Sequence, residues 1–310
     1  MDPEGFFAAT RLVIVAGKGG VGKTTVAAAL ARTTAGTGRR VLVATLEPAG
    51  GLGPLLGLEH PITEDAQPVP GLPTLWARAL TASHALHEYL DDHGLRRLAG
   101  RLVRSGVLDV VATAAPGIDD LLVLGKLKAL ERSGDWDLVV LDAPAAGHAI
   151  TFLQAPRALA DSVSAGPIRT QANDVLELLG DPDRCQVVLV TLAEETPVNE
   201  LIETAYALED KVGVQLGPIV VNALYPAIEG LGTIPEPAGA AAPLANDGLE
   251  AAATFRRERV ARQAEQLERL GAALALPQVH LPFLFRAGLD AADLAVLADH
   301  LGANLGAFAK

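Results

Sequence analysis

Residues 17–25 read GKGGVGKTT and separate an apolar run, RLVIVA at residues 11–16, from an alanine-rich segment. The apolar run is short and rich in β-branched residues, which predicts a buried strand, and residues 24–34 predict the helix that follows it. The pattern G-x-x-x-x-G-K-T thus lies between a strand and a helix N-terminus, where backbone N–H groups are free to bind phosphate. It predicts a loop that binds a nucleoside triphosphate.

Two lysines lie in this loop, although a phosphate-binding loop needs only one. Lys23 is the lysine of the pattern and reaches the outer phosphates, and the Thr24 hydroxyl is placed to bind Mg²⁺. Lys18 is additional, and it is either a cation that acts on a triphosphate or a solvated surface charge. Only six of the 25 basic residues are lysines, which favours a specific need for an ammonium here. The residues predicted to bind the nucleotide in this segment are Gly17, Gly19, Gly20, Val21, Gly22, Lys23, Thr24 and Thr25.

The composition excludes several classes of partner and site. A formal net charge of −12 argues against nucleic acid, which needs a basic face. The single cysteine, Cys185, excludes a disulfide framework within one chain and fits a reducing cytosol, so we expect a cytoplasmic protein. No apolar stretch approaches the roughly 20 residues of a membrane span, and no integral membrane segment is expected. Residues 1–10 carry two acids and no basic residue before Arg11, unlike a signal peptide.

The remaining pattern predicts one α/β domain over residues 1–310, with a doubly wound, mostly parallel sheet. Helical patterns separate most of the further apolar runs, and the predicted strands are residues 41–45, 72–80, 138–141, 186–192, 219–224 and 279–283. Residues 83–132 carry leucines at helical spacing and predict a helical insertion. Residues 226–248 are rich in proline, glycine and alanine and predict an extended or mobile connection.

Several segments together resemble the arsenite-pump and tail-anchored-protein targeting ATPase family. GKGGVGKT looks like the deviant Walker A motif, whose extra lysine crosses a dimer interface to the partner's nucleotide. Residues 142–148 (DAPAAGH) resemble the switch II of this family, Glu194 and Glu200 stand in the places of two of its acids, and residues 220–222 (VVN) match the end of one of its strands. Residues 115–117 (APG) and 125–128 (GKLK) resemble, more specifically, the actinobacterial members that are often encoded in pairs.

The resemblance implies roles for two more residues. Asp142 follows the apolar run LVVL, a position from which a carboxylate can bind Mg²⁺ directly or through water. A capping aspartate is the alternative. Asn222 resembles the adenine-contacting asparagine of the family, since an amide can pair with both a donor and an acceptor. A simple turn asparagine is the alternative. Residues 282–283 are a further candidate for the wall of the same pocket.

The sequence departs from the family at switch I. The family usually has an aspartate there that orients the attacking water, and this chain has Glu47 in the stretch LEPAGG at residues 46–51. The extra methylene can shift a water by about a bond length, and a misplacement of 1 Å can cost on the order of 100-fold in rate. Slow hydrolysis, or hydrolysis completed by a partner subunit, is therefore expected if Glu47 takes this role; a loop glutamate without contacts is the alternative.

Other departures concern zinc and the client. The targeting ATPases clamp their dimer with zinc through Cys-x-x-Cys, and residues 226–248 stand in that place without a cysteine, so no zinc is expected. Their client groove is rich in methionine, and Met1 is the only methionine here. The leucines of residues 83–132 are either internal core or a surface for a helix of a client. The metalloid cysteines of the arsenite pumps are missing too.

The resulting expectation is a cytosolic, Mg²⁺-dependent ATPase whose nucleotide state opens and closes a dimer, either a homodimer or a heterodimer with a paralogous ATPase. Lys23 holds phosphates, Thr24 and Asp142 organise Mg²⁺, Lys18 supplies charge in trans and Glu47 is the candidate for orienting water. A protein client is one option for its target. The alternative is a weakly hydrolysing regulatory subunit that binds ATP and pairs with a paralogue. A chromosome-partition ATPase shares the loop, but the switch II sequence disfavours it.

Overall fold

Short β-branched runs form one sheet. The computed structural model describes residues 10–92, 117–228 and 242–307. Within these ranges its strands are β1 Leu12–Gly17, β2 Val41–Thr45, β3 Gln67–Val69, β4 Leu72–Ala79, β5 Leu138–Ala145, β6 Cys185–Leu192, β7 Ile219–Leu224 and β8 Gln278–Pro282. The strand order is β3-β4-β2-β5-β1-β6-β7-β8. Every neighbouring pair is parallel except the β3–β4 hairpin, which confirms the predicted mostly parallel sheet.

Helices cover both faces of the sheet. They are α1 Lys23–Ala35, α2 Leu52–Leu55, α3 Ala82–Asp92, α4 Ile118–Arg132, α5 Ala146–Ser162, α6 Pro167–Gly180, α7 Glu195–Lys211, α8 Ala242–Ala273 and α9 Ala291–Ala307. One apolar core joins the sheet to α4, α5, α6 and α7, and a second core joins the other face to α1 and α9. The two cores make the fold doubly wound, as predicted.

The strand boundaries show where a local pattern suffices. β2 and β7 have the predicted limits, because their β-branched runs are bounded by polar or turn residues. β3 was not predicted: it has three residues, one of them Pro68, and it exists only through its pairing with β4. The prediction for β5 was too short, because the strand continues past Asp142 until Ala145 pairs with Gly17 of β1. Asp142 therefore lies within a strand that leads directly into α5.

The predicted helical insertion at residues 83–132 is described at its two ends, α3 and α4. Residues 93–116, which include Leu95 and Leu98, lie outside the described residues. On α4, Leu121, Leu124 and Leu127 are buried against the sheet and α5. These three leucines belong to the core.

The connection at residues 226–248 is helical at its end, which corrects the prediction of an extended segment there. Residues 226–228 follow β7 without regular structure and residues 229–241 lie outside the described part of the chain, but α8 begins at Ala242. Alanine and leucine are strong helix formers, and the proline at position 243 falls in the first turn, where no N–H is required. The helix therefore starts seven residues earlier than the composition indicated, at residue 242 and not at residue 249.

No helix in the described ranges is both long and apolar enough to cross a membrane. The apolar side of α9, near the end of the chain, is used within the fold: Leu294, Leu297 and Leu301 are buried. The Thr33 hydroxyl of α1 donates a hydrogen bond to the Ala298 carbonyl of α9 at 2.8 Å.

Candidate functional site

The phosphate loop joins β1 to α1 at the carboxyl edge of the sheet, between β5 and β6. Gly22 has a left-handed φ of 91°, which disfavours any residue with a side chain. A Cβ at this position would also lie 2.2 Å from Nδ2 of Asn222. Both observations explain the glycine. Val21 is buried and anchors the loop, and Gly19 lies near Ala145, at the end of β5. Thr25 is half-buried in the first turn of α1. The loop thus has the shape that the sequence predicts.

Lys23 spans the loop. Its Nζ donates a hydrogen bond to the Lys18 carbonyl at 3.2 Å. Burial lowers the pKa of Lys23, and the nearby carboxylates of Asp142 and Glu47 oppose that shift by favouring the ammonium. Lys23 is therefore a half-buried cation close to the carboxylates of Asp142 and Glu47. Such a cation is suited to hold an anionic phosphate.

Thr24 and Asp142 form a pair between α1 and β5. The Thr24 hydroxyl donates to Oδ2 of Asp142 at 2.8 Å, while Oδ1 of Asp142 is buried and has no hydrogen-bond partner. Burial raises the pKa of Asp142 to about 6; the Thr24 hydrogen bond and the Lys23 charge lower it, and the Glu47 charge adds to the rise. A buried carboxylate oxygen without a partner, beside a hydroxyl, fits the oxygen ligands that Mg²⁺ prefers.

Lys18 pairs with a residue of α7. Its Nζ donates to Oε1 of Glu200 on α7 at 2.6 Å, and both side chains are about 40% exposed (38% and 40%). The two lysines of the loop thus have different surroundings: Lys23 is associated with Asp142 and Glu47, and Lys18 with Glu200. The sequence singled out Glu200 only as a family position, and nothing in the local pattern indicated that it pairs with Lys18.

Glu47 lies in the turn after β2 and is exposed. The backbone N–H of Glu47 donates a hydrogen bond to the Thr45 hydroxyl at 3.1 Å, and the Glu47 carbonyl accepts one from the Gly50 N–H at 2.9 Å. These bonds involve the Glu47 backbone and fix the turn. The charge of Glu47 influences the pKa of both Lys23 and Asp142, so the carboxylate lies within electrostatic reach of the site, and its role there stays a prediction.

Asn222 supports the loop. Its Nδ2 donates to the Val21 carbonyl at 3.0 Å, and its Oδ1 accepts from the Ala223 N–H at 2.9 Å, where Ala223 has a left-handed φ of 56°. One N–H and one lone pair of the amide remain for another ligand. Asn222 lies within β7 and against the phosphate loop, which corrects the alternative of a simple turn asparagine; its contact with adenine stays a prediction.

A cluster of three aromatic rings, of which the sequence predicted only Phe283, follows β7 and β8. Tyr225 stacks on Phe283 with centroids 5.0 Å apart, and Phe285 meets both rings edge-on. The guanidinium of Arg256 lies 4.9 Å from the Phe285 centroid, and that of Arg259 lies 5.6 Å from the Tyr225 centroid. Only Phe283 was a candidate. The sequence contains only twelve aromatic residues, and three of them lie at or just after the ends of two predicted strands. This concentration is the pattern that could have indicated the cluster.

Comparison with known proteins identifies the family. The sequence model of the anion-transporting ATPases (ArsA ATPase) matches residues 10–166, which is more than half of the chain. The chain belongs to this family. The matched residues include the phosphate loop, Glu47 and Asp142, and they end before Glu200 and Asn222. This confirms the family, and the P-loop ATPase fold class, that the motifs indicated.

Named members of the family are similar to between about half and 70% of this chain. The "ATPase BagA" of Mycobacterium tuberculosis is 35% identical over 239 residues, which cover 70% of this chain and 66% of the mycobacterial protein. The "Putative arsenical pump-driving ATPase" of Halobacterium salinarum is 29% identical over 236 residues, 70% of this chain and 36% of that protein. The "ATPase get3" of Schizosaccharomyces japonicus is 30% identical over 147 residues, 47% of this chain and 44% of that protein. The matched segments thus span between about one third and two thirds of these relatives.

The raised pKa of Asp142 predicts a pH-dependent effect of Asp142→Asn on stability. The folded state binds this proton more tightly than the unfolded state, whose carboxyl titrates near 3.8. The buried charge therefore costs stability increasingly as pH rises from about 4 to 6, and fully above that. We expect the substitution to raise the free energy of unfolding by about 1–3 kcal/mol at pH 7.5 and to have little effect at pH 4.

Denaturant unfolding across this pH range measures the difference. The matched control is Asp137→Asn, because Asp137 lies just before the same strand but accepts a hydrogen bond from the Arg40 backbone N–H at 2.7 Å and is only partly buried. This control should not stabilise the protein at pH 7.5. Destabilisation by Asp142→Asn at pH 7.5, or a gain that persists at pH 4, would contradict the assignment.

Proposed function

We propose that this member of the family is a Mg²⁺-dependent ATPase that works as a dimer, and that its nucleotide state opens and closes the dimer to act on a protein client or partner. The observation that carries the proposal is the Thr24–Asp142 pair beside Lys23, with one carboxylate oxygen buried and unpartnered. A cytosolic location belongs to the same proposal, and the buried, reduced thiol of Cys185 is compatible with it.

The residues divide the work of phosphoryl transfer to water. The loop N–H groups and Lys23 hold the phosphates, while Thr24 and Asp142 are the residues that would hold Mg²⁺. Mg²⁺, when bound, neutralises charge on the β- and γ-phosphates. Glu47, on the turn after β2, would accept a hydrogen bond from the attacking water and so align it with the γ-phosphate.

The base of the nucleotide is proposed to lie toward Asn222 and the ring cluster. Asn222 touches the phosphate loop through Val21, and Phe283 follows the strand next to β7. An amide edge and an aromatic face are the groups that recognise a purine by hydrogen bonding and stacking. The sequence candidates Asn222 and Phe283 therefore belong to one end of the proposed site.

The different surroundings of the two loop lysines support the dimer. Lys23 already serves the phosphates of its own loop, and Lys18 extends toward α7 with more than a third of its side chain exposed. A cation so placed can contribute to catalysis if a second subunit brings a triphosphate to it, as the family resemblance implies. Either a second copy of this chain or a paralogous ATPase satisfies this requirement.

Glu47 favours a second candidate function, a subunit that binds ATP but hydrolyses it weakly and regulates a paralogous ATPase. Its carboxylate is near enough to affect Lys23 and Asp142 electrostatically, yet it is one methylene longer than the aspartate usual in the family. An exposed and longer side chain orients water less tightly. In this second candidate function the protein also works as a dimer, but ATP turnover depends on the paralogous ATPase.

Nucleotide-dependent association tests the first proposal. Sedimentation velocity of the protein with ATP and Mg²⁺, with ADP and Mg²⁺, and with no nucleotide should show a dimer favoured by ATP, with turnover in the same sample. Lys23→Ala should abolish the ATP-dependent association and lower turnover by about 100-fold or more, because it removes the cation that holds the phosphates. The matched control, Lys211→Ala in the exposed last turn of α7, should change neither. A monomer in all three conditions would rule out a homodimer.

Glu47→Asp separates the two candidates. If the longer side chain limits hydrolysis, restoring the aspartate should raise kcat by about 10-fold or more without a matching change in the ATP dissociation constant. Glu59→Asp, at an exposed position beyond α2, is the control and should have no effect. A fall in kcat for Glu47→Asp would show that the site is built for glutamate, and the weakly hydrolysing regulatory role would then be wrong.

A further inference from the structure

The ion pair between Lys18 and Glu200 joins the extra lysine of the phosphate loop to α7 of the same chain. The two charged atoms are 2.6 Å apart, and each side chain is about 40% exposed (38% and 40%). An ion pair this exposed contributes little to folding stability, because both partners remain hydrated. The ion pair is therefore of interest for its position at the phosphate loop and not for its contribution to stability.

Glu200 is held more firmly than Lys18. It lies in the second turn of α7, whose neighbouring residues Val198 and Leu201 are buried against the sheet. The Thr204 hydroxyl donates to the Glu200 carbonyl at 2.6 Å. The packed helix places the Glu200 carboxylate at the same edge of the sheet as the loop, and the four-carbon stem of Lys18 brings the ammonium to it.

A second acid holds the start of the same helix. Glu194, the residue before α7, forms an ion pair with Arg259 of α8, and the Arg259 guanidinium lies over the Tyr225 ring. Helix α7 is thus tied to α8 through Glu194 and to the phosphate loop through Glu200. The buried packing of Val198 and Leu201, more than either exposed ion pair, keeps α7 in place when the second pair is broken.

We propose that Glu200 is a positioning residue that retains Lys18 beside its own loop, and that this ion pair must be exchanged for a phosphate of a second subunit's nucleotide before the dimer closes. The inference rests on the proposed function. A triphosphate carries more negative charge than one carboxylate, so the ammonium moves to it, and Glu200 is left solvated at the helix surface. No covalent bond changes. Glu200 therefore opposes dimer closure without taking part in hydrolysis.

Glu200→Gln tests this, because it keeps the shape of the side chain and removes its charge. We expect the protein concentration for half-maximal association with ATP and Mg²⁺ to fall about 3- to 10-fold, with kcat at saturating protein unchanged. The difference should shrink as salt is raised, since salt screens the ion pair. The matched control is Glu203→Gln, an exposed acid on the same helix, which should behave as the unsubstituted protein does. In a Lys18→Ala background, Glu200→Gln should have no effect.

A second readout requires no nucleotide. NMR spectra of the protein with its lysine side chains labelled contain six lysine signals, and Glu200→Gln should shift that of Lys18 while Glu203→Gln leaves it in place. An unshifted Lys18 signal overturns the inference, as does a fall in kcat like that of Lys18→Ala, which would mean that Glu200 aims Lys18 in the active dimer. If Glu200→Gln associates no more readily than Glu203→Gln, the inference is also wrong. A shifted Lys18 signal without any association in ATP means that the proposed dimer itself fails, and the exchange with it.

Discussion

A carboxylate held in a largely buried place beside an ammonium organises the candidate site. Asp142 accepts a hydrogen bond from Thr24 and keeps its other oxygen buried without a partner, and its pKa is raised to about 6. Such an arrangement is unfavourable for folding by itself, since a buried charge loses hydration. The divalent cation and phosphates of the proposed function would offset this cost, and carboxylates with a raised pKa are concentrated at functional sites.

The sheet places this carboxylate where the loop can use it. β5 and β6 flank β1, so the ends of the three strands surround the start of α1. The crevice at the carboxyl ends of parallel strands is where α/β folds bind ligands. Asp142 comes from β5, Asn222 from β7 and Glu47 from the turn after β2, and only the crossover topology brings these distant positions to one loop. Lys18 then extends toward α7, on the side where β6 ends.

Much of this was predictable because it is local. β2 and β7 have the limits that their β-branched runs predict, and the motifs single out Lys23, Thr24 and Asp142, which lie close together in the structure. The misses depend on distant contacts. β3 needs β4 beside it, the last residues of β5 need Gly17, and the pair of Lys18 with Glu200 joins residues 182 positions apart. The ring cluster forms only when β7 and β8 lie side by side, so the sequence shows the three aromatic residues but does not predict that they meet.

Whether Lys18 acts on its own nucleotide or on that of a partner is the central question, and mixing two inactive variants answers it directly. A mixed dimer of Lys18→Ala and Lys23→Ala chains has one site with an intact Lys23 that receives Lys18 from the other chain. A mixed dimer still binds ATP at the site with the intact Lys23, and sedimentation of the same sample checks that it forms. Where the chains pair at random, half of the dimers are mixed and each has one working site, so turnover per chain should recover to about a quarter of that of the unsubstituted protein. If mixed dimers form but the mixture is no more active than the separate variants, the account is contradicted, because both lysines would then act at the same nucleotide.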